Sequence, residues 1–287
     1  MQEESQNDIR DSQNNHRWLI LIGGFALVAL ACLVIGAIIV LDTDNSSLPT
    51  VAAQTVVEAL PILKADDPDT PTPPPTPIPF IPQPGGRSAG DPYIPELGNS
   101  GYDVQRYTIQ LALDPAIDHI EGATTIEAIS TLHGLSEISV DFAGFDVGSV
   151  TVDGRAAGFT REGKNIIVAL PEPLPADRIF NLVISYRGSP LYAPSPYLLF
   201  VEHLGLHYPD GETIFAIAEP DGARYWFPAN DHPRDKATFR FELLVPEGLV
   251  AVANGQLIEQ RSAALPGGEL GSLFIWEHNF PMAPYLA

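Results

Sequence analysis

Residues Phe215 to Phe241 read FAIAEPDGARYWFPANDHPRDKATFRF. Three local structures follow one another in this run. Glu219-Pro220-Asp221-Gly222 has the spacing of a tight turn, because proline fixes φ for the second position and glycine accepts a positive φ later. Arg224 to Pro228 is an aromatic stretch that reads as a buried strand. Asn230-Asp231-His232-Pro233 is a compact corner, in which the Asp231 carboxylate is expected to cap the amides that follow it. From Thr238 to Val245 apolar and polar residues alternate, the period of a half-buried strand. No helical period runs through any of it, so the fold this stretch belongs to is built from strands.

The same grammar extends in both directions. Alternating or β-rich runs occupy Tyr102–Leu113, His119–Leu132, Ile138–Phe142, Val147–Val152, Asn165–Leu170 and Phe180–Tyr186. Further runs are Thr213–Ala218, Leu249–Ala253 and Gly271–Glu277. Glycine, aspartate and proline break them, as at Asp153-Gly154, Asp210-Gly211 and Pro266-Gly267-Gly268. Many short strands with frequent turns predict an all-β fold over residues 91–287, an antiparallel sandwich or barrel. The last residues, Asn279 to Ala287, are apolar to the end, which leads to the expectation that the polypeptide continues in a larger protein.

Ahead of this region the composition changes twice. Residues 1–17 are polar and aperiodic, and are expected to form a disordered cytoplasmic tail. Trp18 to Leu41 is an unbroken apolar run of about 24 residues, roughly 36 Å as a helix, long enough to span a bilayer. Arg10 and Arg17 precede it, while Asp42 and Asp44 follow. The positive-inside rule then predicts a single-pass signal-anchor helix at the cell membrane, with the C-terminal domain extracytoplasmic. Residues 42–90 are rich in proline and threonine. Proline removes backbone donors and fixes φ, so this segment reads as a linker in polyproline II conformation.

The 287 residues carry a net charge of −21. Such a surface repels phosphate backbones, which argues against a nucleic-acid partner. Cys32, within the apolar run, is the single cysteine, so no intramolecular disulfide can form. His203 and His207 are four apart, but Gly205 lies between them and Pro209 follows, which disfavours the helix that would turn both toward a metal. No H-E-x-x-H sequence occurs anywhere, nor a G-x-S-x-G or P-loop motif.

In its order of acidic turn, aromatic stretch and Asn-Asp-His-Pro corner, the 215–241 run resembles the substrate-side segment of the aminopeptidase N-type zinc metallopeptidases. Val250-Ala251-Val252-Ala253-Asn254-Gly255 resembles that family's closing hairpin, and Pro281 to Ala287 the sheet segment shortly before the catalytic domain. The resemblance implies a saddle-like β-sandwich covering one wall of the active-site cleft. It also implies that Glu219 binds substrate by holding the free α-ammonium of a peptide. An α-amino group has a pKa near 8, so it is cationic at neutral pH and suits a charge-assisted hydrogen bond. Many relatives carry Gln two residues before this acid, where Ile217 stands here. Zinc and the catalytic residues of a complete enzyme would come from a domain absent from this chain. The chain itself is expected to bind no metal, to have no catalytic residue and to be inactive alone, meeting peptide substrates through the missing domain. The alternative expectation is a non-catalytic, surface-displayed β-sandwich that serves as a binding or scaffold module.

Overall fold

The computed structural model describes residues 81–287. The expectations for the tail at 1–17, the apolar run at 18–41 and the first part of the linker lie outside the described residues. Among the described residues no helix is long and apolar enough to cross a membrane.

Among the described residues fourteen strands follow in chain order: β1 (Gln83–Pro84), β2 (Tyr102–Asp114), β3 (His119–Ser130), β4 (Leu135–Asp141), β5 (Asp146–Val152), β6 (Arg155–Ala156), β7 (Gly158–Glu162), β8 (Asn165–Leu174), β9 (Ile179–Gly188), β10 (Gly205–His207), β11 (Phe215–Ile217), β12 (Ala237–Pro246), β13 (Gln256–Ala264) and β14 (Leu270–Met282). Eight form one sheet in the order β13-β14-β12-β2-β3-β9-β5-β6. Four form a second in the order β1-β4-β8-β7, and β10 and β11 pair as a small hairpin. The fold is all-β. Gln83–Pro84, placed by composition near the end of the linker, joins the second sheet as β1, and just after it the Gly85 N–H donates to the Glu137 carbonyl at 2.8 Å.

The sheets are mixed rather than purely antiparallel. β12 runs parallel to β2, and β1 parallel to β4. Between β2 and β12 the chain builds most of both sheets, and a connection of that length lets a strand return in the same direction. Along β12 burial alternates without a break, as its sequence predicted. In β2 the parity changes: Tyr102 and Val104 are buried, then Tyr107, Ile109 and Leu111. A register shift between Val104 and Arg106 accounts for this. One extra residue in a strand turns every later side chain to the other face.

Both sheets supply one core. Tyr107, Ile109, Ile126 and Ile184 of the large sheet share it with Ile138, Val140, Ile166 and Val168 of the small one. Tyr107 stacks on Phe239 with centroids 5.0 Å apart and meets Phe227 edge-on at 5.5 Å. Burial of large side chains like these is the main term that stabilises such a fold.

Two expected strands differ. Leu249–Ala253 alternates in sequence but joins no sheet among the described residues; Ala251 packs inward while Val250 and Val252 stay exposed. Arg224 to Pro228 is not a strand either. Ala223–Tyr225 is a turn of 3-10 helix, because the Arg224 side chain has to reach two buried acids rather than alternate with its neighbours.

Candidate functional site

Glu219 stands on a turn that is held from beneath. The Gly222 N–H donates to the Ala218 carbonyl at 2.7 Å and closes it. Gly222 has φ −99°, so glycine is not needed there for a positive φ, contrary to the sequence expectation. Space is the reason: a Cβ on Gly222 would lie 2.6 Å from the Ala218 Cα. After Glu219 and Pro220 the chain dives inward, and every residue from Asp221 to His232 is buried.

That buried corner is organised by charge. The Arg224 Nε donates to Asp231 Oδ2 at 2.9 Å, and its Nη1 lies 3.5 Å from Asp141 Oδ1. The Arg224 N–H also donates to Asp231 Oδ2, at 3.2 Å. Asp231 therefore caps an amide before it in the chain, not those that follow. The Asp141 carboxylate accepts from Asn99 Nδ2 at 2.8 Å, Asn165 Nδ2 at 3.1 Å and the Asp231 N–H at 3.0 Å. One guanidinium thus serves two acids, and Asp141 takes the larger share of donors. Asp231 Oδ1 is buried with no hydrogen-bond partner among the described residues. Burial, with the Asp141 charge beside it, pushes the Asp231 carboxyl up to about 6 against the pull of Arg224. Burial works against the Arg224 charge too, but Asp231 and Asp141 together hold that guanidinium above the ordinary arginine value.

Around this pair the corner is pinned by other side chains. Asn99 N–H donates to Asn230 Oδ1 at 2.6 Å, and the Asn230 N–H to the Tyr107 hydroxyl at 3.0 Å. Asp235 accepts from the Val104 N–H at 3.0 Å, next to the irregularity in β2, and from Asn230 Nδ2. Burial raises the Asp235 carboxyl to about 7. His232 is buried with its Nε2 3.7 Å from Asp91, and burial lowers its pKa. Sequence reasoning passed over Asp141. It ends an apolar strand like any solvent-facing acid, and its partners lie far off in the chain.

Glu219 itself is exposed, makes no ion pair among the described residues, and lines an open groove of about 860 Å³. Leu111, Leu206, Phe215, Trp226 and Leu243 form much of its wall. Among the described residues no lysine or arginine lines the groove, whereas a second carboxylate, Glu212, does. The arrangement can receive a cation on an apolar body. His203 and His207 are not part of it. Both lie at the β10–β11 hairpin, with rings 6.4 Å apart, and His207 stacks on Phe215. Among the described residues no three His, Cys, Asp or Glu side chains come together in a way that could hold a metal ion.

The family model for the Peptidase M1 N-terminal domain matches residues 103–286. Among solved structures, the M1 zinc metallopeptidase from Deinococcus radiodurans is 29% identical, with a TM-score of 0.61, over 69% of this chain and 43% of that one. A mutant of that enzyme bound to a Tyr-Ser-Ala substrate is 30% identical, with a TM-score of 0.61, over 69% and 44%. A two-domain M1 zinc metallopeptidase mutant bound to L-tryptophan is 30% identical, with a TM-score of 0.62 and the same coverage. No curated protein sequence matches. The chain therefore spans less than half the length of these structures. From the matched residues, the fold and the 215–241 corner, the chain belongs to the Peptidase M1 N-terminal domain family.

Proposed function

We propose that this chain supplies the amine-anchoring wall of a membrane-bound zinc aminopeptidase, with Glu219 as the group that holds the peptide α-ammonium. The observation that carries the reading is the Glu219 carboxylate, without an ion pair, on the rim of an apolar groove that among the described residues has no basic side chain in its lining. A cation there meets negative charge with no competitor, and the fixed turn beneath keeps the carboxylate in one place. A carboxylate on a rigid support that recognises a charged terminus measures position from the end of a peptide, which is what an exopeptidase requires. The apolar lining would take the first side chains.

Zinc is implied by the relatives, whose printed descriptions are of zinc metallopeptidases. The described residues do not fit such an ion, and the sequence lacks H-E-x-x-H. The metal and the hydrolytic groups are accordingly assigned to a second domain, against which this saddle-like β-sandwich would form one wall of a cleft. When bound there, zinc would activate the attacking water. The apolar run at 18–41, with arginines before it and aspartates after, supports a single-pass anchor that holds this domain outside the cell on a proline-rich tether.

Titration of the full chain with leucinamide and with N-acetyl-leucinamide tests the reading. Leucinamide is expected to bind saturably in the millimolar range and the acetylated form not to bind. Equal affinity for the two would reject an ammonium site. The same preparation supplied with zinc should release no product from an aminoacyl-anilide.

A further inference from the structure

A second cavity, of about 360 Å³, lies away from the Glu219 groove. Its walls come from the β4–β5 turn, the β7–β8 turn and the segment Leu191–Ala193, with Tyr225 among the lining residues. Two cations, Arg161 and Lys164, face it together with a single carboxylate, Asp146. This is unusual for so acidic a protein. Among the described residues, Arg161, Lys164, Arg187 and Lys236 are the basic residues with no carboxylate within 4.0 Å. Half of them share this one cavity.

Both cations are held in place by neutral partners. Arg161 donates from Nη1 to the Phe142 carbonyl and from Nη2 to the Phe145 carbonyl, each at 2.6 Å, and its guanidinium lies 5.9 Å from the Phe142 ring centroid. A guanidinium has five N–H donors, so the rest of the fork stays uncommitted. Lys164 donates to the Tyr225 hydroxyl at 2.7 Å and sits 5.3 Å from that ring's centroid. Tyr225 is 1% exposed, so the ammonium is anchored to a buried polar group. Neither contact neutralises charge. Leu191, Tyr192 and Phe145 add apolar and aromatic surface.

From this geometry we infer a binding site for a small organic carboxylate with an aromatic or apolar body. Its carboxylate would lie between Arg161 and Lys164 and its body against Leu191 and Tyr192. Fixed donors with no carboxylate within 4.0 Å, and two cations against the one Asp146 carboxylate in the lining, suit a charge-assisted pair, and the cavity admits a molecule the size of an amino-acid derivative. The inference does not depend on the role given to Glu219, which does not line this cavity.

The test titrates the full chain with N-acetyl-tyrosine and with N-acetyl-tyrosinamide, which differ by one negative charge. Saturable binding of the acid, and none of the amide, is expected. Lys164→Met, a change at an exposed turn position, should weaken the acid about tenfold, the loss of one charge-assisted hydrogen bond. Arg161→Gln should weaken it at least as much, while Glu219→Gln should leave it unchanged. Equal binding of acid and amide, or unaltered affinity in Lys164→Met, would overturn the inference.

Discussion

Glu219 and Asp231 belong to the same short run of sequence and meet opposite environments. Glu219 projects from its turn into an open groove, with no ion pair and no basic neighbour in the lining among the described residues. Asp231 is buried, bonded to Arg224 through one oxygen and, among the described residues, without a hydrogen-bond partner on the other. The difference separates two uses of a carboxylate. The buried acid is spent on architecture: with Arg224 and Asp141 it turns the chain inward and fixes the base of the turn. The exposed acid is left available because its neighbours are already satisfied by one another. A charge that is to bind a ligand needs a rigid support and no internal partner, and the corner provides both.

The largest way to break this contrast is to remove the shared cation. Arg224→Met would leave Asp141 and Asp231 buried without their counter-charge, and should cost about 3–5 kcal/mol in urea unfolding. A loss below about 1 kcal/mol would show that the corner does not depend on it. Next comes the floor of the turn. Gly222→Ala places a methyl against the Ala218 backbone and should cost about 1–3 kcal/mol, with weaker leucinamide binding because Glu219 shifts.

A smaller and more specific effect concerns pH. Asp235 holds its proton up to about pH 7 in the folded chain, against about 3.9 for an unfolded aspartate. Between those values the folded state binds more protons, so this group's contribution is complete at low pH and lost as pH rises through about 7. The stability of the native chain relative to Asp235→Asn should therefore fall from pH 4 to 7, by up to about 1.4 kcal/mol per pH unit. A pH-independent difference would show that burial does not set this carboxyl. The smallest expected change in stability belongs to Glu219→Gln, within about 0.5 kcal/mol. A larger loss would place Glu219 with the structural acids.

The strands were legible wherever one face is buried and the other wet, as in β12, because alternation is then forced. β13 and β7 left no such trace: their residues are exposed almost throughout, so nothing in their composition alternates. Leu249–Ala253 shows the reverse, a strand-like pattern whose residues line the groove instead of a sheet. At the site, the turn at Glu219 could be read from local spacing, while the role proposed for Glu219 rests on the family resemblance. The roles of Asp141 and Asp235 could not, since they arise from contacts with Asn99, Asn165 and Val104 that no local pattern records. Arg224 was misplaced on a strand for the same reason.

Leucinamide affinity of the wild-type chain, of Glu219→Gln and of Glu212→Gln tests the central claim most directly, because both acids line the groove. The account predicts that Glu219→Gln abolishes the preference for leucinamide over N-acetyl-leucinamide while Glu212→Gln retains it. An intact preference in Glu219→Gln would contradict it.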